Sequence, residues 1–310
     1  MDAIKNKYHF SLLYEVRNGN PNGDPDEDNR PRQDSMTGHV YTTDMCQKRK
    51  VRNFVQSTCS GKDGMGIYVR QGSVLNVMDN EVTKETLGFQ ALNADEFAKN
   101  FAEAVKKRKG EGGQERCQDK MSDMLVKAYC DRFFDIRAFG QVLASTSKAH
   151  INASKITGPV VFHYAESVHP VEVIRNTISR CAVVALDAKK TNDLGGKFIV
   201  PYALMRVNGS IDPARAAVTG FSEDDVATLF NALMWMHEND CTSARPNQSF
   251  RGLYVWKHDC PIGCEHMHKL FDSLTVELKP GVDEARSYDD FEVSVGEPTA
   301  PGVTLQKYLP

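Results

Sequence analysis

Long apolar runs are missing from this chain. A membrane-spanning helix needs at least about 18 consecutive apolar residues, and no stretch of the 310 residues approaches that length. The opening MDAIKNKYHFSLL has neither the apolar core nor the small-residue cleavage site of a signal peptide, so a cytoplasmic protein without a membrane is expected. A cysteine framework is missing too: eight cysteines are scattered over a long chain, a pattern of reduced thiols rather than of a disulfide scaffold. There is no internal repeat and no low-complexity tract. Nor is there an excess of positive charge, since 38 Lys and Arg face 41 Asp and Glu, for a net charge of −3. That sum argues weakly against a nucleic-acid binder, but the distribution of charge counts for more. With 41% hydrophobic and 25% charged residues, the chain reads as a soluble globular protein with a sizeable core.

Enzyme signatures are absent as well. No G-x-S-x-G elbow and no cysteine in a protease setting occurs. DLGGK (193–197) lacks the four-residue spacer and the Ser or Thr of a phosphate-cradling loop. Asp24, Asp26 and Asp28 alternate as in a calcium loop, but Asn29 and Ser35 stand where Gly and Glu are required. A magnesium role for Asp24 or Asp26 has no second cluster to support it. Cys260, Cys264, His266 and His268 in CPIGCEHMH are soft ligands, yet the two histidines are too close and no second cysteine pair flanks them. No metal, no cofactor and no catalytic residue is therefore expected.

What is present is patterned. Tyr8, Phe10, Leu12 and Tyr14 alternate as a strand, and residues 17–42 follow as a long loop, a length uncommon in a compact domain unless it is functional. Thr43 or Asp44 caps a helix over about 44–57, with Val51, Phe54 and Val55 inward and Lys48 and Arg52 on another, exposed face. Residues 58–94 read as irregular with a short strand near Ile67–Val69; helices follow at about 94–109 and 119–134. Residues 177–186 and the run KFIVPYALMRVNGSI read as strands, the first followed by a polar loop, with Asn208-Gly209 as a turn. Ser222 and Asp225 form a capping box before a helix bearing Val226, Leu229, Phe230, Leu233 and His237. GLYVWKH (252–258) and LTVEL (274–278) close the series. The order strand, helix, helical insertion, strand, strand, helix, strand predicts an α+β fold: a ferredoxin-like, RNA-recognition-motif-like βαββαβ core. Its first half falls in 1–57, the helical insertion in 58–150, and the second half in 151–310.

The stretch EVRNGNPNGDPDEDNRPRQD (15–34) then stands out. Arg30, Arg32, Lys48, Arg49, Lys50 and Arg52 lie within one strand–loop–helix unit. Arg forks and Lys ammonium groups match phosphate oxygens, and Gly19 and Gly23 would let backbone approach such a ligand. Arg137 with Phe139-Gly140 makes a second basic turn. Together these favour a sugar-phosphate track over a plain solvated surface. The acidic stretches Glu223–Asp225 and Asp289-Asp290 offer surfaces that a neighbouring copy's Arg30 or Arg32 could meet.

The same residues carry a resemblance. Asn20–Pro25, Asn29–Asp34, Thr37-Gly38, Thr43-Asp44 and Lys48–Asn53, with DIRAFG (135–140), TGPV (157–160), IVPYAL (199–204) and HKLFD (268–272), are similar to the CRISPR-associated backbone subunit of the type I-C Cascade complex. The likeness covers most of the chain; the segment 58–120 and Cys260 and Cys264 depart from it. It implies a non-enzymatic subunit that polymerises with neighbouring copies along one CRISPR RNA and holds the spacer for pairing with target DNA in an R-loop. Specificity would then lie in the guide's base pairing. It further implies fingers in the insertion, a thumb loop at about 187–197, and nucleic-acid contacts from Asn20, Asn22 and the basic residues above. Expected partners are a guide 5′-end-capping subunit, a large and a small subunit, and a recruited helicase-nuclease. The competing expectation is a metal-dependent RNA endonuclease of the type III kind using a loop Asp.

Overall fold

The computed structural model of the protein describes residues 2–108, 113–180 and 193–310. Strand β1 (Tyr8–Gly19) is its axis. Its alternation sends Phe10, Leu12, Tyr14 and Val16 into one core and Leu13 into another, on opposite faces of the sheet. Both faces are covered, so nearly every residue of β1 is buried.

One short pair follows, β2 (Gly23–Asp24) with β3 (Arg30–Pro31), and then β4 (Tyr41–Thr42) leads into helix α1 (Asp44–Thr58). The Thr43 side chain accepts the Cys46 N–H at 3.3 Å and fixes where α1 begins. Helices α2 (Leu75–Leu87), α3 (Ala94–Lys107), α4 (Gly113–Arg132) and α5 (Phe134–Phe139) come next. The first three and the start of α5 enclose a core of Phe97, Phe101, Val105, Leu125, Tyr129 and Ile136. The irregular reading of 58–94 is corrected by α2. That helix has few buried apolar residues and no side-chain cap at Val74; its Asp79 instead gathers the hydroxyls of Tyr68, Tyr129 and Ser145.

After β5 (Gly140–Val142) and β6 (Lys155–Thr157), strands β7 (Val160–Ser167), β8 (Ile174–Arg180) and β9 (Asp193–Ile211) return to the main sheet. Helices α6 (Pro213–Thr219) and α7 (Glu223–Asn239) precede β10 (Gln248–His258), then α8 (Met267–Asp272), the pair β11 (Leu274–Leu278) and β12 (Phe291–Val295), and β13 (Val303–Tyr308). Among the described residues the large sheet runs β13-β10-β1-β9-β7-β4, with β8 on β9. The neighbours β10-β1-β9-β7 are antiparallel throughout. Helices α1 and α7 supply Val51, Phe54, Val55, Leu229 and Leu233 to one face; α8 and the β11–β12 pair supply Leu270, Phe271, Leu274 and Phe291 to the other. The chain is a mixed α/β protein around a central antiparallel sheet. Among the described residues no helix is long and apolar enough to cross a membrane.

Asn208-Gly209 does not turn. Both residues lie inside β9, opposite Ser11 and Phe10. A Cβ on Gly209 would stand 2.2 Å from the Phe10 ring, so the glycine serves the close seating of an aromatic side chain. Of the polar loop at 187–197, residues 187–192 lie outside the described residues, and 193–197 belong to β9.

Candidate nucleic-acid interface

The loop after β1 is stitched together by its own polar residues. Asn20 is buried, and its amide donates to the Asn29 carbonyl at 2.7 Å. The Asn22 carboxamide oxygen accepts from the Thr43 N–H and hydroxyl at 3.1 and 3.3 Å, tying the loop to the start of α1. Gly23 is required because a Cβ there would lie 2.0 Å from the Asn29 side chain; its freedom serves loop closure rather than approach to a ligand. Asp24 accepts from Arg32 at 2.8 Å and from the Asp26 N–H at 3.1 Å. Arg32 thus reaches back into its own loop. Arg30, half-buried, donates to the Gln33 carboxamide at 3.4 Å.

Helix α1 divides its cations. Lys48 pairs with Asp44 one turn earlier at 2.9 Å. Arg49 is exposed and donates to Gln71 at 3.3 Å. Lys50 is buried and bonded to Asp240, whose carboxylate also receives Arg245 at 2.8 Å. Burial pulls the Lys50 ammonium below its ordinary pKa, an effect the Asp240 charge partly opposes. Arg52 is buried against Asp135 at 2.8 Å and lies over the Phe139 ring. The expectation that Arg52 is exposed is therefore corrected: it anchors α1 to the segment holding Tyr68 and Val69, whose N–H groups Asp135 also accepts.

The second basic turn is also internal. Arg137 makes two bonds to Asp225, at 2.7 and 2.9 Å, and two more to the carbonyls of Gly64 and Cys130. All the Arg137 nitrogens are spent inside the protein. Gly140 has φ +73°, and a Cβ there would sit 2.3 Å from the Ile156 carbonyl, while Phe139 packs on Phe162. Asp225, expected on an acidic surface, is buried under Arg137, and Glu223 is held by the Tyr8 hydroxyl. Asp224 and Asp289 stay exposed.

What faces outward is a cleft of about 400 Å³ lined by Asn22, Thr43, Met45, Arg49, Lys50, Asp240 and Arg245. Two cations share the one carboxylate of Asp240, so its floor keeps a positive charge, and exposed Met45 adds an apolar edge. Among the described residues neither Arg30 nor Arg49 is in an ion pair. Arg245, Asp240 and Lys197 were missed by the sequence reading. Lys197 in β9 donates to the Ser243 carbonyl, which brings β9 against the loop that carries Arg245. Only the fold places residues so distant in sequence at one end of β1.

Cys260 and Cys264 lie together with 3.3 Å between their sulfurs, and His266 stacks on His268. Among the described residues no group of three or more His, Cys, Asp or Glu converges as a metal site.

Known proteins resemble this chain in sequence and in fold. A curated relative, the CRISPR-associated protein Cas7 of Haloferax volcanii, is 26% identical over 255 residues. That match takes in 77% of this chain and 66% of the relative, just under two thirds of its length. A chain of a solved structure described as a CRISPR RNA-guided surveillance complex, pre-nicking, superposes with a TM-score of 0.52 over 90% of this chain and 84% of that one. At 13% identity that likeness speaks for the fold alone. The family model of CRISPR-associated protein Cas7 matches residues 6–296, and the chain therefore belongs to the Cas7 family.

Proposed function

We propose that this protein is the CRISPR RNA-binding backbone subunit of a type I-C Cascade surveillance complex. Several copies would lie along one guide and hold its spacer for pairing with target DNA. The observation that carries the reading is the cleft at the end of β1, where Arg49, among the described residues, stands without an ion pair above a floor on which Lys50 and Arg245 share Asp240. Such a surface attracts phosphates without a side chain set to read a base. Arg30, Arg32 and Lys48 extend it along the loop and helix. Asn20, Asn22, Lys50, Arg52, Arg137 and Gly140 act from behind, by fixing the loop, the helix and the second turn.

In this reading the protein is not an enzyme, and cutting belongs to a recruited helicase-nuclease; the capping, large and small subunits complete the particle. The second expectation, a loop-Asp endonuclease, meets an Asp24 whose two oxygens are already engaged by Arg32 and the Asp26 N–H. The test is purification of the full chain with and without co-expressed guide. Absorbance and RNase treatment should show RNA-dependent particles larger than one copy. Protein that stays single and free of nucleic acid with a guide present would overturn the proposal, and magnesium-dependent cutting of a complementary RNA, lost in Asp26→Asn, would favour the nuclease.

A further inference from the structure

The cluster CPIGCEHMH is not used by the reading above, and it occupies a defined place. β10 ends at His258, which is fully buried; its N–H donates to the Lys7 carbonyl at 2.9 Å, just before β1 begins. The next residue, Asp259, donates its N–H to the Gly302 carbonyl at 2.8 Å, where β13 starts on the other side. The turn carrying both thiols is thereby pinned between the two neighbours of β10.

Within that turn the sulfurs are brought together by identifiable bonds. The Cys264 N–H donates to Nδ1 of His258 at 2.9 Å. Nδ1 therefore carries no proton, Nε2 does, and it donates to Nδ1 of His9 at 2.8 Å. A buried imidazole pair thus fixes the backbone of Cys264. On the other side the Gly263 N–H points at the Cys260 sulfur at 3.2 Å, and Gly263 reaches that position with φ +107°. Gly302 makes the room: a Cβ there would stand 3.1 Å from the Cys264 sulfur. The outcome is a sulfur–sulfur approach of 3.3 Å between two half-buried thiols.

We propose that Cys260 and Cys264 are a vicinal dithiol, a modification site that small-molecule disulfides of the glutathione class oxidise to an intramolecular disulfide. The chemistry balances as two exchanges. The Cys260 thiolate attacks one sulfur of the small disulfide, a mixed disulfide forms, and one small thiolate leaves. Cys264 then loses its proton to solvent and its sulfur attacks that of Cys260. The Cys260–Cys264 bond forms, and the second small thiolate leaves. Two cysteines are oxidised, and one disulfide is reduced to two thiols. The hydrogen bond from the Cys264 thiol, then those from the turn's N–H groups, hold the Cys260 thiol below its ordinary pKa, which suits it to attack first; the same bond raises Cys264. A reversible pair of this kind is how disulfides occur in reducing compartments.

The tryptic peptide 258–269 contains both cysteines and no other, so one measurement decides. The reduced full-length protein is equilibrated with oxidised glutathione, quenched with iodoacetamide, digested and weighed. The expected peptide is lighter by two hydrogens and carries no label, while exposed Cys241 is labelled or glutathionylated. Cys264→Ser should halt at a glutathione adduct on Cys260. A wild-type peptide labelled at both cysteines as fully as Cys241, or holding glutathione without closing, would overturn the proposal.

Discussion

Two sets of cations in this chain, three of them neighbours on one helix, have opposite fates. Arg52, Arg137 and Lys50 are buried against Asp135, Asp225 and Asp240. Arg49 is exposed and Arg30 half-buried, each facing a polar carboxamide. For Lys50 and Arg49 the difference follows from helical geometry rather than residue type. On α1 the residues Gln47, Lys50, Val51, Phe54 and Val55 recur at three- and four-residue spacing and share the buried face. Arg49 falls opposite. A charge run in a sequence therefore mixes residues that hold the fold with residues free to meet a partner, and burial sorts them.

The comparison breaks most visibly at Arg137. Arg137→Ala leaves the Asp225 carboxylate buried and two carbonyls without donors, and removing one partner of a buried pair costs about 3–5 kcal/mol. Much of a typical domain's stability would go. Both carboxylates keep other donors, the Tyr68 and Val69 N–H groups for Asp135 and the Ser222 N–H for Asp225. Arg52→Ala should still cost less, because it strands no backbone carbonyls of the kind Arg137 serves. Urea unfolding of both variants checks the order. Equal midpoints to wild type would place these arginines with the outward set.

How much of this was legible can be read from particular residues. Helix α1 with its Thr43 cap, the capping box at Ser222 and Asp225, and the strand at 274–278 follow from local pattern, and the structure contains each of them. Lys50 was legible in principle, since it shares the spacing of Gln47 and Phe54, but its charge drew it into the basic stripe. The burial of Arg137 was not legible: its partner Asp225 lies 88 residues away. Nor was the cleft's floor, which joins Lys50 to Asp240 across 190 residues. Helix α2 escaped because its apolar contribution is sparse, Leu75, Met78, Val82 and Leu87, and its Asp79 is held by hydroxyls, two of which, those of Tyr129 and Ser145, come from outside its own stretch of sequence.

Acid sharpens the same contrast. Burial, then the charge of neighbouring His258 and Lys7, lowers His9 to about 4, and His237, stacked on Tyr14, is lowered too by burial and by the Lys50 ammonium. Both are neutral in the fold but take up protons near pH 6.5 once unfolded. Their contribution is complete above that pH and is lost as the pH falls toward about 4. Unfolding midpoints should drop between pH 7 and pH 5, and His9→Gln should flatten the drop. A midpoint that rises on acidification would mean these imidazoles are charged in the fold.

The smallest effect on folding is expected at Arg49. Its side chain is exposed, its hydrogen bond to Gln71 is long, and among the described residues no carboxylate depends on it. Arg49→Ala should leave stability within about 0.5 kcal/mol of wild type. Removing Lys48 and Arg52 together could not serve this purpose, because buried Arg52 would confound binding with stability. If Arg49 neutralises a guide phosphate, binding weakens and the slope of log affinity against log salt falls by about 0.7, the increment for one single-stranded phosphate. Arg49→Glu should weaken binding further, since it sets a like charge against the backbone. Titrating guide RNA at several salt concentrations with wild type and both variants gives the answer. Three identical slopes would mean that the outward cation is solvated surface and the phosphate track runs elsewhere.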